Sequence, residues 1–200
     1  ATVDGTWTVT GTYSGLQDTA VLTVTNVAPT ILEITDTGPS AEGSPITLTV
    51  SADDPGSDTL TYAFDWNNDG DFTDPGDIPP YTQTSPTASH SWPDNDTYLV
   101  RVRVYDDDTY AEATHQVTVF NAPPVANAGG PYTVAAGETV TLTAAASYDP
   151  GTADTLTYTW DLDDDGLFDD AVGVTAPFSR TTTGVYTVTV RVADDDGASS

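Results

Sequence analysis

The sequence predicts an all-β protein made of antiparallel β-sandwiches in tandem. Of its 200 residues, 27 are Asp and 4 are Glu, and Asp favours turns and caps over helix interiors. Thr and Val, which prefer pleated and half-buried surfaces, dominate the remainder. No segment keeps a helical period, whereas long segments recur about 95 residues apart along the chain.

The recurrence covers two stretches in the same order. DPGSDTLTYAFDWNNDGDF from Asp54 matches DPGTADTLTYTWDLDDDGLF from Asp149. DTYLVRVRVYDDD from Asp96 matches GVYTVTVRVADDD from Gly184. A third copy of the later stretch alone, GTWTVTGTYSGLQDTAVLTVTNVAPT, begins at Gly5. The chain is therefore expected to be an array of similar units.

These matches set the predicted domain limits. Residues 1–26 are expected to be the last two strands of a preceding, incomplete repeat. Residues 27–120 form a complete repeat, and residues 121–200 form a repeat that lacks its final strand. The joints NVAPT from Asn26 and NAPPV from Asn121 contain Pro, which stiffens a linker. An edge left open by a missing strand can accept one from another molecule.

Within each repeat, apolar residues alternate with polar ones. The alternating sets are Ile46, Leu48 and Val50; Val140 and Leu142; Tyr98, Val100, Val102 and Val104; and Tyr186, Val188, Val190 and Val192. Such alternation marks antiparallel strands with one face in a core. Trp160 and its counterpart Phe64 fall on the third strand, where a core aromatic is expected. About seven short strands per repeat indicate an immunoglobulin-like sandwich.

A family resemblance becomes specific in the last repeat. ANAGGPYTVAAGETVTLTAAASYDPGTADTLTYTWDLDDDG from Ala126, continued by GVYTVTVRVADDDG from Gly184, resembles a PKD (polycystic-kidney-disease-type) domain. The resemblance is closer over residues 121–200 than over 27–120. It implies tandem PKD-type sandwiches of a large bacterial or archaeal surface or secreted protein. The family's WDFGDG-like segment is replaced by more acidic versions here, WDLDDDG and FDWNNDG.

Those acidic segments carry the pattern D-x-[DN]-x-D-G. Carboxylates at alternate positions before a glycine can wrap around one hard cation. The predicted calcium ligands are Asp65, Asn67, Asp69, Asp71 and Asp74 in one copy, and Asp161, Asp163, Asp165, Asp169 and Asp170 in the other. The loops are not EF-hands, because no helices flank them. The alternative is a solvated acidic turn, since Asp and Gly are common turn residues.

A second acidic set is expected where the chain enters each sandwich. Its members are Asp54, Asp106 and Asp108, with Asp149, Asp194 and Asp196 in the later copy. The Asp65 loop is expected to face Asp149 and Asp194 of the next repeat, with calcium binding at this junction because clustered carboxylates repel. The alternative is a set of independent solvated turns.

Charge and composition exclude several functions. The net charge of −27, with Arg as the only basic residue type apart from two His, argues against nucleic acid and against an anionic membrane. There is no Cys, and no apolar run is long enough to span a membrane. Neither His90 nor His115 lies in a catalytic motif, so no enzyme activity is expected.

The favoured function is a calcium-stiffened structural or adhesive segment, a stalk or fibre, of an extracellular cell-surface protein. The alternatives are a substrate-targeting module beside a secreted hydrolase and a filament subunit that assembles by strand donation. Expected partners are neighbouring repeats of the same chain, homotypic copies, or a surface protein or polysaccharide.

Overall fold

A computed structural model describes residues 5–56 and 58–200, which form fourteen β-strands and no helix. No helix in this part of the chain could therefore cross a membrane. The chain divides into two compact units. The first contains the chain up to Gly38, Ile46–His90 and Thr97–Thr118; the second contains Pro39–Pro45, Ser91–Asp96 and Val119–Ser200. The prediction of an all-β chain is confirmed, and the repeat limits drawn from the sequence matches stay predictions.

The first unit begins with a hairpin. β1 (Gly5–Tyr13) pairs antiparallel with β2 (Leu16–Val24). The turn between them places Ser14 and Gly15 at φ of 50° and 78°. Positive φ at both central residues matches the twist that a two-residue hairpin needs.

Two sheets follow the hairpin. β3 (Thr30–Asp36), β5 (Ile46–Asp53) and β7 (Thr87–His90) form one sheet in the order β3-β5-β7. β6 (Thr61–Asp65), β8 (Asp96–Tyr105) and β9 (Tyr110–Phe120) form the other, and β4 (Ser40–Ala41) pairs with the end of β9. The alternating residues predicted for the core are buried: Ile46, Leu48, Val50, Phe64, Val100, Val102 and Val104.

The second unit also holds two sheets. β10 (Thr139–Thr143) pairs with β13 (Thr175–Ser179), and β11 (Thr157–Asp161) lies between β12 (Ala171–Val172) and β14 (Thr189–Ala193). The core consists of Leu142, Ala144, Trp160, Ala176, Phe178, Val190 and Val192. Trp160 is fully buried and its indole Nε1 donates to the carbonyl of Gly173 at 2.9 Å. The predicted core aromatic is confirmed.

One predicted strand is shorter than the alternation suggests. β14 begins at Thr189, so Tyr186 and Val188 precede it. The Tyr186 hydroxyl donates to the carbonyl of Thr182 at 3.0 Å. A tyrosine that bonds back to the backbone a few residues upstream is the tyrosine corner of immunoglobulin-like sandwiches.

Candidate metal centres

The second acidic loop, Asp161–Asp170, connects β11 to β12. Asp161 ends β11 and is 4% exposed. Its Oδ1 accepts the amide of Asp164 at 2.7 Å and its Oδ2 accepts the amide of Gly166 at 2.9 Å. Burial opposes ionisation of Asp161, but backbone amides of the loop outweigh it and lower the pKa of the carboxyl. The loop therefore has an ionised carboxylate at its base.

The loop turns sharply enough to bring three carboxylates together. Asp164 and Gly166 have φ of 66° and 87°, which curls the backbone. Asp161, Asp163 and Asp170 each offer an oxygen within 4.8 Å of the others. Two oxygens on opposite sides of a calcium ion, each about 2.4 Å from it, lie about 4.8 Å apart, so this spacing suits one calcium ion.

Asp163 is affected by its acidic neighbours, and Asp170 is fixed by a backbone hydrogen bond. Desolvation, followed by repulsion from Asp165 and Asp170, raises the pKa of Asp163. Asp170 is fixed by the amide of Leu162, which donates to its Oδ2 at 2.6 Å. A cation bound beside Asp163 would lower this pKa, because it favours the ionised carboxylate. Asp165 is exposed and accepts the amide of Leu167 at 2.8 Å.

Three of the five predicted residues in this loop converge, and of these Asp161 is buried while Asp163 and Asp170 are exposed. The remaining two, Asp165 and Asp169, are exposed as well. Both stay candidates as outer ligands. No ligand assignment in either loop is tested by the fold itself.

The first acidic loop, Asp65–Asp77, connects β6 to a bridge at Ile78. Asp65 is fully buried, and its Oδ2 accepts the amide of Gly70 at 2.9 Å. Its Oδ1 is buried without a hydrogen-bond partner among the described residues. Arg101, opposite Asp65 in the sheet, places its Nε 3.9 Å from Asp65 Oδ2 and donates to Asn68 Oδ1 at 2.9 Å. A cation of the protein itself therefore lies at this loop.

The other predicted ligands of the first loop are engaged by donors of the loop. The Asn67 amide nitrogen lies 3.2 Å from Asp69 Oδ2 and 3.1 Å from Asp74 Oδ2. The hydroxyl and the amide of Thr73 donate to Asp71, which lowers the pKa of that carboxyl. The five residues form a hydrogen-bonded network rather than one group of converging carboxylates.

Sequence matching missed a carboxylate in the first loop. The amide of Trp66 donates to Asp77 Oδ1 at 3.1 Å, as the amide of Leu162 donates to Asp170. Asp77 directly precedes Ile78, which bridges to Phe64. Asp77 is thus the structural counterpart of Asp170. Counting residues from the start of each loop does not pair them, because the first loop is longer than the second. Burial first, and then repulsion from Asp65, raises the pKa of Asp77.

At the entry end of each sandwich, two predicted ligands hold the linker. Asn26 Nδ2 donates to Asp106 Oδ2 at 2.9 Å, and Asn121 Nδ2 donates to Asp194 Oδ2 at 3.1 Å. Asp106 Oδ1 also accepts the amide of Asp108 at 2.8 Å. Burial works against ionisation of Asp106, but these donors lower its pKa. Hydrogen bonds to linker and turn account for Asp106 and Asp194, while Asp108 is exposed in the same turn.

Asp54 and Asp149, also at the entry end, each have a side-chain oxygen without a hydrogen-bond partner among the described residues. Asp54 Oδ1 accepts the amide of Gly56 at 2.7 Å, and Asp149 Oδ1 accepts the amide of Gly151 at 2.8 Å. The Oδ2 of each is buried without a hydrogen-bond partner among the described residues. Buried polar atoms normally have partners, so each such oxygen requires an explanation.

Around Asp149 the second unit gathers further carboxylates. Glu42, Asp149 and Asp154 offer oxygens within 4.8 Å of one another, and Asp94, Asp154 and Asp196 do the same. The sequence prediction included Asp149 and Asp196 but missed Glu42 and Asp94. A comparison of the two repeats could have found them, because both are acids at positions where the later repeat has the uncharged residues Ala136 and Thr182. The expected approach of the Asp65 loop to Asp149 and Asp194 stays a prediction.

Two sandwich units with buried alternating strands, a core tryptophan and a tyrosine corner define an immunoglobulin-like protein. Two family models, both described as PKD domain, match the chain, one over residues 31–119 and the other over residues 121–200. The chain belongs to the PKD domain family, in two tandem copies. The predicted immunoglobulin-like, PKD-type fold is thereby confirmed. No curated protein matches the chain in sequence.

Solved structures of low sequence identity match the chain. The insect immune protein hemolin, whose domain arrangement is described as having implications for homophilic adhesion, is 14% identical with a TM-score of 0.50 over 96% of this chain and 53% of its own. A structure concerning Dscam isoform specificity is 16% identical, with a TM-score of 0.40 over 93% of this chain and 50% of its own. The chain therefore spans about half the length of these proteins.

Proposed function

We propose that the chain is a structural or adhesive segment of an extracellular protein and that bound calcium stiffens it. The convergence of Asp161, Asp163 and Asp170 within 4.8 Å carries the calcium part of this proposal. Membership of the PKD domain family in two tandem copies supports the structural or adhesive part. Extracellular calcium modules bind with dissociation constants of about 0.1–1 mM, matched to the calcium outside cells.

The charge balance of the protein supports a solvent cation at these loops. The net charge is −27. Arg101 and Arg103 both pair with Glu112, at 3.2 and 2.6 Å. The guanidinium carbons of Arg180 and Arg191 lie 4.6 Å and 4.1 Å from the centres of aromatic rings. Arg180 donates to the carbonyl of Leu162 and Arg191 lies over the ring of Phe168, so both arginines touch the second loop. Neither forms an ion pair with a carboxylate of that loop among the described residues, and calcium would neutralise those carboxylates.

A non-catalytic role is part of the proposal. His115 Nε2 lies 2.6 Å from Asp36 Oδ2, in an ion pair or hydrogen bond between strands. His90 stacks on Trp66 with ring centres 5.0 Å apart. Both histidines therefore have structural contacts. An open groove of the second unit is lined by apolar and hydroxyl side chains, with Arg180 as its charged residue, which offers no acid–base pair.

Neighbouring repeats of the same chain are the first proposed partners. Homotypic copies are a second proposal, which the description of hemolin supports by analogy of fold alone. A surface protein or polysaccharide is a third. Nucleic acid and membrane insertion are not expected, because the net charge of −27 would repel phosphate groups.

The test is a calorimetric titration of the whole chain with calcium chloride, paired with thermal melts in calcium and in chelator. We expect binding in the range of about 0.1–1 mM, and a melting temperature that is higher in calcium than in chelator. Magnesium chloride is the control and should bind more weakly, since it prefers fewer protein ligands. Absence of binding at millimolar calcium would contradict the proposal.

Stiffness needs its own measurement. Small-angle scattering with and without chelator should show a narrower distribution of maximum dimensions in calcium. Identical distributions, together with confirmed calcium binding, would leave a calcium-binding protein without the proposed mechanical role.

A further inference from the structure

Glu42 is the most deeply buried charged residue of the second unit, and the backbone fixes it there. It is fully buried. Its amide donates to the carbonyl of Phe120 at 3.1 Å, and its Oε1 accepts the amide of Ala122 at 2.7 Å. The amide of the next residue, Gly43, donates to the carbonyl of Trp92 at 2.9 Å. Hydrogen bonds of the side chain and of the adjacent backbone therefore fix the position of Glu42.

The second oxygen of Glu42 has no hydrogen-bond partner. Oε2 is buried without one among the described residues, and so are Asp149 Oδ2 and Asp154 Oδ2. These are the same three side chains that offer oxygens within 4.8 Å of one another. Asp154 also belongs to the group with Asp94 and Asp196, so four other carboxylates lie around it. Unpartnered buried oxygens that face each other are costly unless something binds them.

Gly151 permits this close approach. A Cβ atom at this position would clash with the carboxyl carbon of Glu42 and would lie 2.7 Å from Asp154 Oδ2. The absence of a side chain at Gly151 lets the carboxyl groups of Glu42 and Asp154 lie against the backbone of the loop.

The carboxylates of this cluster repel one another. The influences on Glu42 that come from charged side chains are all from acids, Asp149, Asp94 and Asp196, and with burial they raise its pKa. Burial, followed by Glu42 and Asp149, raises the pKa of Asp154 to about 7. A cation from solution would relieve this repulsion.

We propose that Glu42, Asp149 and Asp154 form the core of a buried calcium site, with Asp94 and Asp196 as the outer ligands. Several carboxylate oxygens around one point, partly screened from water, suit calcium better than magnesium, which keeps more of its own water. This site involves none of the residues of the two acidic loops, so it goes beyond the proposed function and can exist whether or not those loops bind metal.

The site has a structural consequence. Glu42 and Asp94 fall in the region matched by the first PKD domain, whereas Asp149, Asp154 and Asp196 fall in the second. All five residues nevertheless lie in one compact unit. An ion held here would fasten segments of the first repeat onto the second.

The matching turn of the second repeat provides an internal comparison. The amide of Ser44 donates to Ala41 at 3.1 Å, and the amide of Glu138 donates to Ala135 at 3.0 Å, so the two turns share one geometry. Ala136 occupies the position of Glu42 in this comparison. The turn itself therefore does not require an acid.

Glu42→Gln is the decisive variant, because Gln keeps an oxygen for the Ala122 amide and removes the charge. In chelator, E42Q should melt at a higher temperature than the unchanged chain, since repulsion is relieved. Calcium should raise the melting temperature of E42Q by less than it raises that of the unchanged chain. Glu138→Gln, at an exposed residue of the matching turn, should change neither value.

Calorimetry separates this site from the acidic loops. In a chain with D69N, D74N, D163N and D170N, calcium chloride should still bind, and adding E42Q should weaken that binding at least about tenfold. No binding to the four-substitution chain, once circular dichroism shows it folded, would overturn the inference while leaving the proposed function intact. Equal stabilisation by E42Q in calcium and in chelator would also overturn it, in favour of a shared proton.

If the four-substitution chain does not fold, crystals of the unchanged chain grown with calcium chloride provide the second measurement. Anomalous difference density between Glu42, Asp149 and Asp154 is the expected result. Density at the Asp161 loop without density here would overturn the inference.

Discussion

The two acidic loops share a frame but balance their negative charge differently. Each begins with a buried Asp that accepts the amide of a glycine five residues later, Gly70 or Gly166, at 2.9 Å. Across the sheet, Asp65 faces Arg101, whereas Asp161 faces Thr189. The first loop therefore has an ion pair between Arg101 and its first carboxylate, whereas the second has a neutral side chain at the same register. Arg180 and Arg191 contact the second loop at the carbonyl of Leu162 and the ring of Phe168, not at a carboxylate.

The third position of the D-x-[DN]-x-D-G pattern also differs between the two loops. Asn67 places an amide between two carboxylates of the first loop, while Asp163 adds a carboxylate to the second. The first loop is thus held together by its own donors, whereas three carboxylates converge in the second loop without an ion-pair partner among the described residues. One sequence pattern has given a hydrogen-bonded acidic turn in one repeat and three converging carboxylates in the other.

The largest expected effect is the loss of the second-loop site. Asp163→Asn with Asp170→Asn removes two of the three converging charges, and we expect calcium binding at this loop to weaken at least about 100-fold. Calorimetry on the whole chain measures it. The matched pair D69N and D74N in the first loop should change the isotherm little, and an equal loss there would remove the contrast between the loops.

A reciprocal exchange at the facing position sharpens the comparison. Arg101→Thr should strengthen calcium binding at the first loop about tenfold, because a positive charge near the ion is removed. Thr189→Arg should weaken binding at the second loop by a similar factor. The same titration measures both. Affinities that stay unchanged in both variants would show that the facing residue does not decide occupancy.

The smallest expected effect concerns the aromatic stack beneath the first loop. Burial lowers the pKa of His90, so the folded chain keeps this side chain neutral where the unfolded chain is protonated. Its contribution to stability is present above the unfolded pKa of about 6.5 and is lost as the pH falls below that value. The counterpart residue is Phe178, since Ile46 pairs with His90 as Val140 pairs with Phe178.

The measurement is the melting temperature in chelator between about pH 7.5 and 5.5, for the unchanged chain and for His90→Phe. The unchanged chain should lose more stability than the variant as the pH falls. A loss of the same size in both would show that other groups carry the pH dependence of this unit.

The sequence alone determined the fold class, the repeat and the central core residues. Period-2 alternation is a local property of a strand, so Ile46, Leu48 and Val50 could be assigned to the core before any contact was known. The acidic loops could be found for the same reason, because their pattern is contiguous. Trp160 was assigned to the core from its position on the third strand.

Only the tertiary structure decided which carboxylates meet. Asp77 is the counterpart of Asp170 because backbone pairing, not residue counting, fixes where a loop closes. Glu42 and Asp94 joined Asp149 because turns that are distant in sequence lie in one compact unit. Repulsion among carboxylates depends on their separation in space and on burial, and neither quantity is written in a local pattern.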